Sequence, residues 1–172
     1  MIIGIFGPSS TGKTTLSKLI AERLGWPLRS CGEMVKARCR ILRVPIDALP
    51  ADEHCAIDQD TINWVRNLQT QGIVEGRFLD QVLVPVVGLV TLVELHASRT
   101  VRLERWQLRI DGKFDFEILD RMDAADGQFR GAMYDGAAPI TERQCFDTSR
   151  SSPEECAEWL NSWIMASRLA PD

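Results

Sequence analysis

The sequence predicts an α/β fold, a five-stranded parallel sheet with helices on both faces. Three observations carry the expectation. Short apolar, β-branched runs of strand length recur along the chain, beginning with Ile2–Phe6. Segments with apolar residues at helical spacing alternate with them, and alternating β and α units imply parallel strands joined by right-handed crossovers. A Gly/Ser-rich turn stands directly between the first strand and the first helix, where such folds bind ligands.

The elements follow in order. Ile2–Phe6 reads as a buried strand. Lys13–Leu24 carries Leu16, Leu19, Ile20 and Leu24 at helical spacing, and Gly25 stops it. Leu28–Ser30 is a brief extended piece ahead of a helix over 32–42. Pro45 and Pro50 punctuate a connector, and 51–70 predicts a long polar helix. Strands are expected over 72–75 and 89–95. Ser98 caps a helix running to about residue 110, and 114–133 is helical with breaks at Gly127 and Gly131. A last strand covers 145–147. Ser152-Pro153-Glu154-Glu155 opens the final helix with a cap, a first-turn proline and acids matched to the dipole. Trp159 and Trp163, four apart, predict core packing on that helix.

The chain has 172 residues, 45% hydrophobic and 26% charged, enough for one domain over 1–172 with a sizeable core. A net charge of -4 argues against a broad electrostatic grip on nucleic acid or an anionic membrane. The uncharged stretch 81–93 is too short to span a bilayer. The apolar start lacks a basic flank and is not read as a signal peptide. Cys31, Cys39, Cys55, Cys145 and Cys156 form no C-x-x-C pair, which favours reduced thiols in the cytoplasm. His54 and His96 have no metal-ligand spacing and read as structural or surface residues. Sixteen arginines stand against four lysines, and the planar guanidinium fork suits anionic ligands.

Gly7-Pro8-Ser9-Ser10-Thr11-Gly12-Lys13-Thr14 is a complete G-x-x-x-x-G-K-[ST] motif, the P-loop. Its glycines let the backbone approach phosphate oxygens, and its N–H groups with the helix N-terminus form a positive concavity. Lys13 bridges the β- and γ-phosphates, Thr14 offers a hydroxyl to Mg²⁺, and Thr15 is placed for the α-phosphate. The strings N-K-x-D and D-x-x-G are absent, which argues against a GTPase switch. A small kinase is the expectation.

Two further signals lie downstream. Val74-Glu75-Gly76-Arg77 ends an apolar strand, so Arg77 emerges at the sheet's carboxyl edge, suited to an acceptor's phosphate. Glu75 is placed to orient a Mg²⁺-bound water or an arginine. Arg99, Arg102, Arg105 and Arg109 share one helix face. Like charges so spaced repel, a polyanion would relieve them, and such a segment reads as a lid closing over the phosphates. The acids are expected to lie away from this cleft.

At this point the residues resemble the cytidylate kinases, within the nucleoside monophosphate kinases, and most of all their short archaeal-type branch, over nearly the whole chain. Ser30-Cys31-Gly32-Glu33 matches an S-x-G-E segment, with Lys36 where the family has arginine. Ile57-Asp58 matches an I-D helix segment, and Val74-Glu75-Gly76-Arg77 the V-x-E-G-R strand. Ala97, Val101, Arg102, Glu104 and Arg105 match the lid. Asp147-Thr148-Ser149, Ser152 and Pro153-Glu154-Glu155 match the closing loop, which in that family lies near the ATP base. One stretch departs: the family's R-D-x-x-D-x-x-R-Y reads Met122-Asp123-Ala124-Ala125-Asp126-Gly127-Gln128-Phe129-Arg130. Both aspartates are kept, and both arginines are displaced by one residue, to Arg121 and Arg130.

The resemblance implies a P-loop kinase fold with a monophosphate-binding insert about 31–70 and a lid about 99–130. It implies ATP as phosphoryl donor with Mg²⁺ on Thr14, and in-line transfer to a nucleoside monophosphate, CMP or dCMP first. ATP would be held by Gly7, Pro8, Ser9, Ser10, Thr11, Gly12, Lys13, Thr14, Thr15 and Thr148. The acceptor would be held by Ser30, Gly32, Lys36, Arg77, Asp126 and Arg130, with Lys13, Arg102, Arg105 and Arg109 catalytic. The partners expected are small-molecule nucleotides, with no nucleic acid, membrane or obligate protein partner. Two alternatives stand beside it: a small-metabolite kinase of shikimate or gluconate type, and an NTP-binding module with a degenerate acceptor site.

Overall fold

The computed structural model describes residues 1–108, 117–134, 136 and 138–169, the side chains of 168 and 169 excepted. Ile-Ile-Gly-Ile-Phe offers water nothing, and β1 (Ile2–Phe6) accordingly lies at the centre of the sheet with every residue buried. The strand order is β2-β3-β1-β4-β5, with β2 (Leu28–Ser30), β3 (Gly72–Glu75), β4 (Val90–His96) and β5 (Arg143–Asp147). All four pairings are parallel; Ile2 stands against Gly72 on one side and Val90 on the other.

Side chains alternate across the strands. Ile3, Ile5, Ile73, Val93 and Leu95 face α1 (Lys13–Leu24) and α7 (Pro153–Leu169), meeting Leu16, Ile20, Leu160 and Ile164. Phe146, Trp159 and Trp163 stack along this layer, as the i,i+4 tryptophans predict. Ile2, Phe6, Val74 and Leu92 face the other way, onto α3 (Ala51–Asn67) and α4 (Leu79–Val82) through Ile62, Val65, Leu79 and Val82. The direction in which strands are added reverses beside β1, because β1 leads through α1 to β2 on one flank and β3 leads to β4 on the other. That reversal opens the crevice above the strands' carboxyl ends. No helix among the described residues is long and apolar enough to cross a membrane.

Several boundaries differ from expectation. α2 (Cys31–Leu42) starts one residue early because Ser30 caps it, accepting from Glu33 N at 3.2 Å. α3 ends at Asn67, not 70, since the chain must extend to enter β3 beside β1. The stretch 81–93 contains α4's end and a 3₁₀ segment, Val84–Leu89, before β4. α5 (Arg99–Gln107) is capped by Ser98 as expected. α6 (Ile118–Met133) runs unbroken through Gly127 and Gly131. Each glycine costs about 1 kcal/mol relative to alanine in a helix. Here Asp123, Asp126, Phe129 and Arg130 tie the same helix to three other parts of the molecule.

Candidate active site

The turn after β1 adopts the geometry that its glycines permit. Gly7 has φ +133°, and a Cβ there would run into the Leu95 carbonyl oxygen. Gly12, at φ +93°, begins α1, whose N-terminal N–H groups face the turn. Between them Ser10, at φ +63° and 3% exposed, keeps a buried hydroxyl with no hydrogen-bond partner among the described residues. A strained backbone and an orphaned buried hydroxyl are what a preformed polyanion cradle looks like before its ligand supplies the missing partner. The residues present therefore fit a nucleoside triphosphate. Thr11 Oγ1 donates to Pro8 O at 3.0 Å, and Lys13 Nζ donates to the same carbonyl at 2.6 Å, folding the lysine back over its own loop. Thr14 is half-buried and Thr15 exposed.

Three arginines reach this turn from distant parts of the chain. Arg77, leaving β3, donates through Nη2 to Ser9 Oγ and through Nη1 to Asp126 Oδ1, both at 2.5 Å. Arg102, buried, donates through Nε to Ser9 O at 2.8 Å and grips both Asp123 oxygens at 2.6 and 2.9 Å. Arg105 donates to Thr148 Oγ1 at 2.8 Å and Thr148 O at 2.7 Å, and Thr148 Oγ1 lies 2.9 Å from Thr11 O. Thr148 is buried and joins the P-loop to the end of β5. Arg99 makes a bidentate pair with Asp120 on the exposed side at 3.1 and 2.6 Å. Arg109 lies outside the described residues.

The acids are not away from the cleft, as composition suggested. Asp120, Asp123 and Asp126 repeat every three residues on α6 and meet Arg99, Arg102 and Arg77. Asp120 and Asp123 thereby offset the charge of Arg99 and Arg102 on α5. The i,i+3,i+6 spacing was a readable signal; its partners were not, because they come from two other elements. Burial raises the Asp126 carboxyl above its ordinary value, against the opposing pull of Arg77.

The remaining acceptor-side candidates separate into two groups. Ser30 donates to the buried Glu75 carboxylate, and Gly32 lies close enough that a Cβ there would sit 4.0 Å from Glu75 Oε1. Glu75 thus accepts a serine hydroxyl. Lys36 is exposed and pairs with Glu33 at 2.8 Å. Arg130 makes a bidentate pair with buried Asp80 at 2.9 and 3.1 Å and a bond to Gln81, its guanidinium 4.9 Å above the Phe78 ring.

Sequence reasoning missed an aromatic seam beside this group. Phe129 stacks on Phe78 at 5.2 Å, and His54 meets its edge at 4.9 Å. Tyr134 donates to Asp58 at 2.6 Å. Burial raises the Asp58 carboxyl and lowers the His54 imidazole. Cys31 sits behind Gly76, its thiol pushed up to about 12 by burial.

Known proteins share this architecture. A shikimate kinase from Bacteroides thetaiotaomicron superposes with a TM-score of 0.65 at 18% identity, over 96% of this chain and 98% of that one. The fold is that of the P-loop kinases. A gluconokinase from Sinorhizobium meliloti 1021 gives a TM-score of 0.63 at 16% identity, over 98% and 97% of the two chains. In sequence, a protein of Thermococcus gammatolerans named "Putative adenylate kinase" is 33% identical over 84 residues, 48% of this chain. The match spans 44% of that relative's length. No family model matches the chain. In this P-loop kinase fold the Gly7–Thr15 turn (residues 7–15), Arg77, Arg102 and Arg105 gather at the carboxyl ends of the central strands.

Proposed function

We propose that the chain is an ATP-dependent kinase that phosphorylates a nucleoside monophosphate, with CMP or dCMP as acceptor, to the diphosphate. The observation that carries this reading is Arg77, whose guanidinium lies between P-loop Ser9 and the Asp126 carboxylate. An anion already rests on a forked cation beside the triphosphate cradle, and an acceptor's phosphate has the charge and geometry to take that place. Phosphate oxygen is an anionic nucleophile and needs no base. The nearby carboxylates are otherwise engaged, Glu75 by Ser30, Asp58 by Tyr134 and Glu33 by Lys36.

Lys13, Arg102 and Arg105 align and neutralise the transferring group, which is most of what phosphoryl transfer requires. Thr14 is the ligand this chain offers to Mg²⁺, which when bound with ATP spreads the charge of the phosphates. The enzyme would work in the cytoplasm on free nucleotides, without an obligate protein partner.

A second reading rests on α6. Phe129, at a position where the cytidylate kinase pattern has arginine, packs on Phe78, and the neighbouring Arg130 is committed to Asp80. That favours a small-metabolite acceptor of shikimate or gluconate type. ADP release measured with CMP, dCMP, UMP, AMP, shikimate and gluconate decides between them. Turnover with a monophosphate is expected. Turnover only with a hydroxyl acceptor overturns the proposal in favour of the second reading, and ATP binding with no turnover leaves an NTP-binding module.

A further inference from the structure

Parallel pairing of β4 and β5 sets Glu94 beside Cys145 and His96 beside Asp147. With a strand period of two, Glu94, His96 and Cys145 all project from the same face of the sheet. Glu94 Oε2 is 3.5 Å from His96 Nε2 and 3.9 Å from Cys145 Sγ, and the three ligand atoms all lie within 4.8 Å of one another. Donor atoms around a tetrahedral zinc, with bonds of about 2.0–2.3 Å, stand roughly 3.3–3.7 Å apart. Small side-chain rotations close the difference. Half the His96 side chain is exposed and Cys145 is exposed, so an ion can enter from solvent.

We infer that Glu94, His96 and Cys145 form a binding site for a divalent transition-metal ion of the zinc class, with solvent at the fourth position. Thiolate and imidazole select a borderline or soft ion over Mg²⁺ or Ca²⁺. The site is built beyond its ligands. Arg143 Nε donates to Glu94 Oε2 at 2.5 Å while its Nη1 donates to Ile140 O, fixing the carboxylate as second-sphere partners do. Thiolate and carboxylate together balance the dication, leaving the Arg143 charge to favour water or a small anion at the open position. On binding, the Cys145 S–H bond breaks, sulfur keeps the electron pair to bond the metal, and the proton passes to solvent.

The consequence reaches the nucleotide cradle. His96 O accepts from Thr148 N at 2.8 Å, and Thr148 joins Thr11 and Arg105. An ion clamping the ends of β4 and β5 therefore stiffens the segment against which the P-loop leans. The site is separate from the proposed reaction, and its test needs no turnover.

The test is titration of the chelator-treated full chain with Co²⁺, then Zn²⁺, without nucleotide. One Co²⁺ per chain is expected, with a thiolate-to-metal charge-transfer band that Zn²⁺ abolishes by displacement. Cys145→Ser should lose the band, His96→Ala should weaken binding at least tenfold, and Cys55→Ser, at an exposed thiol on α3, should change neither. The ligand substitutions are at exposed positions, and circular dichroism checks that each variant folds. Absence of the band in the native chain, its survival in Cys145→Ser, or unchanged affinity in His96→Ala would overturn the inference.

Discussion

The two halves of the proposed cleft, a donor side and an acceptor side, are built in opposite ways. The donor half is nine consecutive residues, 7–15, whose backbone curls because glycines stand at φ +133° and +93°. The acceptor half has no contiguous segment. It is built around Arg77, just past β3, and Asp126 of α6, while Asp123 of the same helix anchors to the proposed catalytic Arg102 of α5, pairs that span 21 to 49 residues. The first is a backbone device that can be read in a short string. The second is a set of long levers held by charge, and it moves if α6 moves. Its acids sit where incoming phosphates would be drawn, so binding and α6 position are coupled through the same guanidinium groups.

This contrast can be broken or sharpened by substitution, beginning with the largest expected effect. Lys13→Met should lower turnover by about 10³-fold or more, because the cation at the transferring group is gone, while the melting temperature stays near that of the native chain. Near-native activity would show that the donor half does not work through this lysine. Arg77→Ala should raise the acceptor KM by roughly 10- to 100-fold, the loss expected when charge-assisted hydrogen bonds to the acceptor's phosphate are removed, with a much smaller effect on ATP. Equal losses for both substrates would erase the distinction between the halves.

Asp123→Asn should cost about 1 kcal/mol, since its carboxylate is substantially exposed and the pair is screened. Its clearer signature is faster proteolysis at α6 while the P-loop half remains protected. Uniform cleavage would mean that α6 is not a separate lever.

The smallest effect is in pH dependence. The folded Asp58 carboxyl is raised by burial. Its contribution to stability is therefore full below the unfolded value and lost as pH rises through the folded one. Asp58→Asn cannot ionise and keeps an acceptor for Tyr134. Its melting temperature should fall less than the native chain's between mildly acidic and neutral pH. Parallel pH profiles would remove Asp58 from the seam's energetics.

Much of the fold was legible in the sequence because it rests on local rules. The apolar runs named the strands, and the Ser98 and Ser152 signals marked helix starts. The reading went wrong where tertiary contacts outweigh propensity. Gly127 and Gly131 weaken α6, yet Arg77, Arg102, Phe78 and Asp80 hold the flanking residues of the same helix. The lid arginines were read as waiting for a polyanion because the α6 acids that meet them are remote in sequence. Arg130 was assigned to the acceptor by its distance from a motif, and its partners, buried Asp80 and the Phe78 ring, come from a remote part of the chain that the motif does not name.

By itself the sequence determined the P-loop, the alternation of strands and helices, and the emergence of Arg77 at a strand end. Each depends on backbone conformations and periodicities set by neighbouring residues. Only the tertiary structure decided what the charged side chains meet. It matched the arginines to α6 and brought Glu94, His96 and Cys145 within reach of a single ion. Such contacts depend on strand register and helix placement, which the packing of the whole sheet decides and no single segment encodes.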